Sequence, residues 1–181
     1  MNTAVASKTV WTVNPYRTQI SFSVKHMVSF SVVGCFEQFD GTYETGDDGD
    51  DAVVRLRLRV DSLDTRNASR DAHLKSDSFL NAAKYPFITF ESVSVERAEG
   101  GLRRLHGNMT IRNVTRPVTF EAVHTGTFTD AQGGTRAEYE VNGVINRKDF
   151  GLVWDALTEL GGTVVSKEIR LNARVELLKR G

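Results

Sequence analysis

Val53-Val54-Arg55-Leu56-Arg57-Leu58-Arg59-Val60-Asp61 is the stretch that decides the fold class. Val54, Leu56, Leu58 and Val60 alternate with Arg55, Arg57, Arg59 and Asp61. Successive side chains of a strand point to opposite faces, so a strand gives one apolar face and one charged face. A helix would spread the three arginines around its surface and bury some of them. The segment therefore reads as a half-buried strand.

The same period recurs along the chain. Ile20, Phe22, Val24 and His26 alternate with Ser21, Ser23 and Lys25. Val118, Phe120, Ala122 and His124 form a second such row, Tyr139, Val141, Gly143 and Ile145 a third, and Ile169 to Leu177 a fourth. Phe36 to Glu44, Phe87 to Glu96 and Leu102 to Arg112 complete about eight strands by this template count. Turn residues sit at Gly46 to Gly49, at Glu99-Gly100-Gly101 and at Asp130 to Gly134. Two stretches break the alternation. Asn67 to Ala83 is polar and predicts a short helix, capped by Asn67 or Ser69 and ended before Tyr85-Pro86. Asn146 to Gly162 is a long connection whose Phe150, Leu152, Val153, Trp154, Leu157 and Leu160 pack over one end of the domain.

Short hairpin connections exclude most βαβ crossovers. About eight antiparallel strands usually close on themselves, because closure removes the exposed edges. The expected fold is an all-β, eight-stranded antiparallel barrel, wide enough to be filled by side chains or to hold one ligand. Periodicity alone leaves open which of the two it does. The expected division is a flexible N-terminus over residues 1–8 and one barrel domain over 9–181.

Composition removes several classes of function. Lys and Arg total 23, and Asp and Glu total 23. This balance argues against a nucleic-acid binder working by phosphate neutralisation, and against a polybasic membrane anchor. One cysteine, Cys35, allows no internal disulfide. No run approaches the roughly 20 apolar residues of a membrane span. The N-terminus lacks a basic start followed by an apolar run, so a cytoplasmic location is the expectation. Four scattered histidines without His-x-x-x-His or Cys-x-x-Cys spacing give no metal set. No Gly-x-Ser-x-Gly elbow and no glycine-rich phosphate loop is present.

Several blocks in fixed order carry a family resemblance. They are Trp11 to Pro15, Ile20 to His26, Gly34-Cys35-Phe36, Phe39-Asp40-Gly41, Asp61 to Thr65, Arg70 to Leu74, Phe79, Tyr85 to Ser92, Gly107 to Thr115, and Arg147 to Gly151. In this order, from Trp11 to about Leu177, the chain resembles the YceI-like family, the lipocalin-like polyisoprenoid-binding proteins. Asn14 stands where that family more often has aspartate, and Asn113 where glycine is usual.

The resemblance implies a lipocalin-like barrel with a helix near its mouth and a long apolar tunnel. The strand faces then supply the tunnel lining. Ile20, Phe22, Val24 and Phe36 come from the first strands, Leu56, Leu58 and Phe90 from the next, then Met109, Phe120, Tyr139 and Val141, with Trp154 from the long connection. The implied ligand is an amphiphile: a polyprenyl diphosphate, a quinone or a fatty-acid-like molecule. No other cofactor is implied. Relatives are often dimers, so a homodimer is among the implied assemblies, and many relatives are periplasmic.

The expected polar rim consists of His26, Arg70, Asp71, His73, Arg147 and Asp149. Each also has a structural reading. His26 reads first as a buried histidine satisfied by a neighbouring carboxylate or carbonyl, and second as a head-group contact. Arg70 and His73 share a helix face while Asp71 points elsewhere. Arg70 either grips a phosphate bidentately or ties the helix to the barrel. Arg147 and Asp149 are expected on one side of an extended segment, in an ion-pair network with Asp71 or His26. Three functions are carried forward. The first is binding of an isoprenoid or lipid without chemistry. The second is an enzyme using His26, or Asp71 and His73, as acid–base groups. The third is a packed barrel acting as a stress or interaction module.

Overall fold

A computed structural model describes residues 7–26, 30–47, 51–153 and 165–181. Residues 1–6, which hold most of the expected flexible N-terminus, lie outside it, as do Trp154 and the side chain of His26. In chain order the strands are β1 (Thr9–Val13), β2 (Gln19–His26), β3 (Phe30–Phe36), β4 (Phe39–Thr45), β5 (Val53–Arg59), β6 (Leu63–Asp64), β7 (Phe87–Arg97), β8 (Leu102–Ile111), β9 (Val114–Thr129), β10 (Thr135–Asn146) and β11 (Val165–Arg180). One helix, α1 (Ala68–Lys75), lies between β6 and β7. Among the described residues no helix is long and apolar enough to cross a membrane.

The strand segments form eight staves of a closed antiparallel barrel. β1 and β2 make one stave, β3 and β4 the next, and β5 and β6 the third. Neighbours in sequence are neighbours in the sheet, and β11 closes the ring. Its C-terminal part pairs with β1 (Val13↔Leu177) and its N-terminal part with β2 (Phe22↔Leu171).

The opening stretch behaves as its period requires. Val54, Leu56 and Leu58 face the interior. Outside, Arg57 donates twice to Asp40 at 3.0 Å and lies over the Phe87 ring at 4.4 Å. Arg55 reaches Glu44 and Glu91, each at 3.5 Å. The strand ends two residues early, because Val60 enters a single 3₁₀ turn and is only 1 % exposed.

One strand expected as continuous is broken, and so is the first stave. The Phe36–Glu44 segment is interrupted at Glu37-Gln38. There Glu37 N–H donates to the Ser62 carbonyl and the Gln38 carbonyl accepts from Arg59 N–H, at 3.1 and 2.9 Å. The first stave is broken over residues 14–18, where the chain crosses Glu176. Glu176 is 2 % exposed and would be an expensive isolated charge. Asn14 Nδ2 donates to one of its oxygens at 2.8 Å, and Arg17 Nε donates to the other at 3.0 Å. The asparagine at position 14 is thus a donor to a carboxylate, where an aspartate would set two carboxylates together.

Phenylalanines dominate the interior, yet they do not fill it. Phe22, Phe90 and Phe120 lie flat against Gly34, Gly107 and Gly143 on the neighbouring strands. A Cβ built on each glycine would meet a ring carbon at 2.7, 2.6 and 2.6 Å respectively. The missing side chains let the rings fold onto the wall instead of projecting into the lumen. At Gly107 the added carbon would also strike the Glu91 carbonyl oxygen of β7. Gly107→Ala is therefore expected to cost about 1–3 kcal/mol, the usual range for overpacking. Urea denaturation should show a lower midpoint with an unchanged slope.

Candidate ligand tunnel

Two chambers occupy the barrel axis. They meet at Leu58, Met109 and Leu171, which line both. The helix-side chamber has a volume of about 610 Å³, within the usual range of small-molecule pockets. The distal chamber, toward the Glu99–Gly101 turn, is about 150 Å³. The Phe90 and Phe120 rings stand edge-to-face at 5.0 Å beside the distal chamber. Phe22 and Phe36, 5.7 Å apart, line the helix-side chamber.

The expected lining residues divide between the two. Ile20, Leu56, Phe90, Phe120, Tyr139 and Val141 line the distal chamber. Phe22, Val24 and Phe36 line the helix-side one, and Leu58 and Met109 line both. The lumen has walls the sequence reading left out: Val32, Leu74, Phe79, Ile145 and Val165 on the helix side, and Tyr43, Val95, Arg103 and Leu105 on the distal side. Arg103 was legible in principle. Counting back by twos from Met109 through Gly107 and Leu105 puts it on the inner face.

The polar rim needs more correction. Asn67 caps α1 by accepting from Arg70 N–H at 2.9 Å, as the cap residue should. Arg70 and His73 do share the face toward the helix-side chamber. Arg70, however, is tied down: its Nε donates to Thr65 Oγ1 and its Nη2 to the Thr65 carbonyl, both at 2.8 Å. Asp71 faces away and accepts from Thr65 N–H at 3.0 Å and from the Thr65 hydroxyl. Thr65 is buried, so these bonds clip α1 to the end of β6.

Arg147 is not in an ion-pair network with Asp71. Residues 147–150 form a 3₁₀ turn, not an extended segment, so Arg147 and Asp149 part company. Asp149 is exposed, whereas Arg147 is 4 % exposed. The Arg147 guanidinium donates to three carbonyls: Leu152 at 2.7 Å, Ser166 at 2.9 Å and Val165 at 3.2 Å. Burial pulls its pKa below the usual arginine value. The residue pins the Phe150–Leu152 segment to the start of β11. Phe150 and Leu152 are buried, as expected of a cap over this end, whereas Val153 is exposed and does not join it.

At the distal chamber Arg103 Nη1 donates to the Tyr43 hydroxyl at 2.9 Å. Burial pushes the Tyr139 phenol above its ordinary pKa, while the nearby Arg103 charge pulls it down.

The comparisons with known proteins agree with this architecture. The YceI-like domain model matches residues 11–177. A UPF0312 protein of Yersinia pestis is 42 % identical over 159 residues, covering 87 % of this chain and 79 % of that one. The crystal structure of a Campylobacter jejuni YCEI protein superposes with a TM-score of 0.74 at 26 % identity, covering 87 % of this chain and 90 % of that one. A polyisoprenoid binding domain from Saccharophagus degradans has the same fold, with a TM-score of 0.68 at 13 % identity, covering 94 % of this chain and 98 % of that one. Sequence and structure together place this chain in the YceI-like domain family.

Proposed function

We propose that the barrel binds one amphiphile of the isoprenoid or lipid class and carries out no chemistry on it. The observation that carries this reading is the pair of chambers meeting at Leu58, Met109 and Leu171, apolar along most of their walls. The polyisoprenoid binding domain of Saccharophagus degradans supports the ligand class through its shared fold. A long tail gains roughly 0.8 kcal/mol for each buried methylene, so affinity should rest on the tail and rise with chain length as far as the tunnel can bury it.

The packed-barrel reading loses support from the phenylalanine–glycine pairs, which keep the lumen open. The catalytic reading loses support at Asp71, whose carboxylate is engaged by Thr65. Titration with a fluorescent long-chain probe tests the proposal. Saturable binding of about one equivalent is expected, displaced by prenols in order of increasing chain length. Absence of saturable binding to the folded protein would refute it.

A further inference from the structure

The amphiphile reading leaves open where the ligand's polar end sits. The helix-side rim is the obvious place, but its cations are already engaged. Arg70 is committed to Thr65 and Arg147 to three carbonyls. Of the arginines lining the distal chamber, Arg55 points its guanidinium at Glu44 and Glu91 on the outer surface. Arg103 differs from all of these. It is half-buried on the inner face of β8, and the one hydrogen bond described for it goes to a neutral phenol, Tyr43. Among the described residues no carboxylate forms an ion pair with it. Tyr139 lines the same chamber from β10. A partly desolvated charge in an apolar chamber is costly unless a counter-charge or strong acceptor meets it.

We propose that the ligand's polar end is a compact anionic oxygen group, held in the distal chamber by Arg103 with the Tyr43 and Tyr139 hydroxyls, and that its tail runs toward α1. A guanidinium offers donors in a planar fork suited to a carboxylate or a phosphate. The distal chamber, about 150 Å³ in volume, has room for such a group. This inference rests on the amphiphile-binding reading.

A matched fifteen-carbon series separates the two: farnesol, farnesoic acid and farnesyl monophosphate, each displacing a fluorescent probe. The unmodified protein should bind both acids about tenfold or more tighter than farnesol, the gain expected of charged hydrogen bonds. Arg103→Met should bring both acids down to farnesol's level and leave farnesol within about threefold. Arg103→Lys should restore part of the preference. Tyr43→Phe, which removes only a hydroxyl, should cost the acids about threefold and guards against misfolding of the arginine variants. A difference between the two acids identifies which anion the site prefers. An acid preference that survives Arg103→Met in folded protein, or that disappears instead in Arg70→Gln, overturns the inference and leaves amphiphile binding intact. Failure of all three compounds to bind the unmodified protein overturns the binding reading, and this inference with it.

Discussion

Arg147→Met is expected to lower the unfolding free energy by about 3 kcal/mol or more, and the melting temperature by about 6–12 °C for a domain of this size. The methionine preserves much of the volume, so the loss is electrostatic. Three carbonyls, those of Leu152, Val165 and Ser166, would lose their donor together. Each buried acceptor left without a partner costs about 1–3 kcal/mol. Arg147→Lys should recover little, because one ammonium on a flexible stem does not reproduce the planar fork aimed at carbonyls on two segments. Thermal unfolding followed by circular dichroism checks both variants. A change below about 1 kcal/mol in Arg147→Met would mean that the turn and β11 hold together without this residue.

Ala173→Phe is expected to weaken long-chain binding sharply while leaving the protein folded. Ala173 lines the distal chamber from β11. A cavity of about 150 Å³ is the size that accepts a benzene molecule, so the new ring has a place to go. Filling an apolar void commonly stabilises, so the melting temperature should hold or rise. Long prenols should then bind at least about tenfold more weakly, since several methylenes lose their burial at roughly 0.8 kcal/mol each. Short prenols that fit within the helix-side chamber should bind nearly as before. Unchanged binding of long chains by the folded variant would show that the two chambers do not act as one tunnel.

The strand pattern, the barrel and the helix were legible because each rests on local information. The arginines of β5 face water, the leucines beside them face in, and Asn67 caps the next helix. Most of the expected lining residues also reached the lumen, since a period of two fixes the face. The breaks in the first two staves were not legible. Glu176 sits in a regular alternation, and only the loop crossing over it makes it buried. The openness of the lumen was hidden for a similar reason. Phe22, Phe90 and Phe120 look like filling until Gly34, Gly107 and Gly143 are seen beneath their rings. The rim was misread at Arg147 because an Arg-x-Asp spacing looks paired in extended chain, while the 3₁₀ turn separates the two and delivers the arginine to carbonyls. Arg103 was overlooked because it sits next to Arg104 and so reads as one of two surface charges. Arg104 faces outward, beside Glu96 and Glu121, and only the strand period distinguishes it from its neighbour.

The central claim is that this lumen exists to hold an amphiphile. Its most direct test is organic-solvent extraction of protein purified from its native host, followed by mass spectrometry of the extract. A long-chain isoprenoid or lipid is expected at near one equivalent, depleted in protein carrying Ala173→Phe. Repeated recovery of no amphiphile, together with no uptake of polyprenyl compounds, quinones or fatty acids by the same preparation, would contradict it.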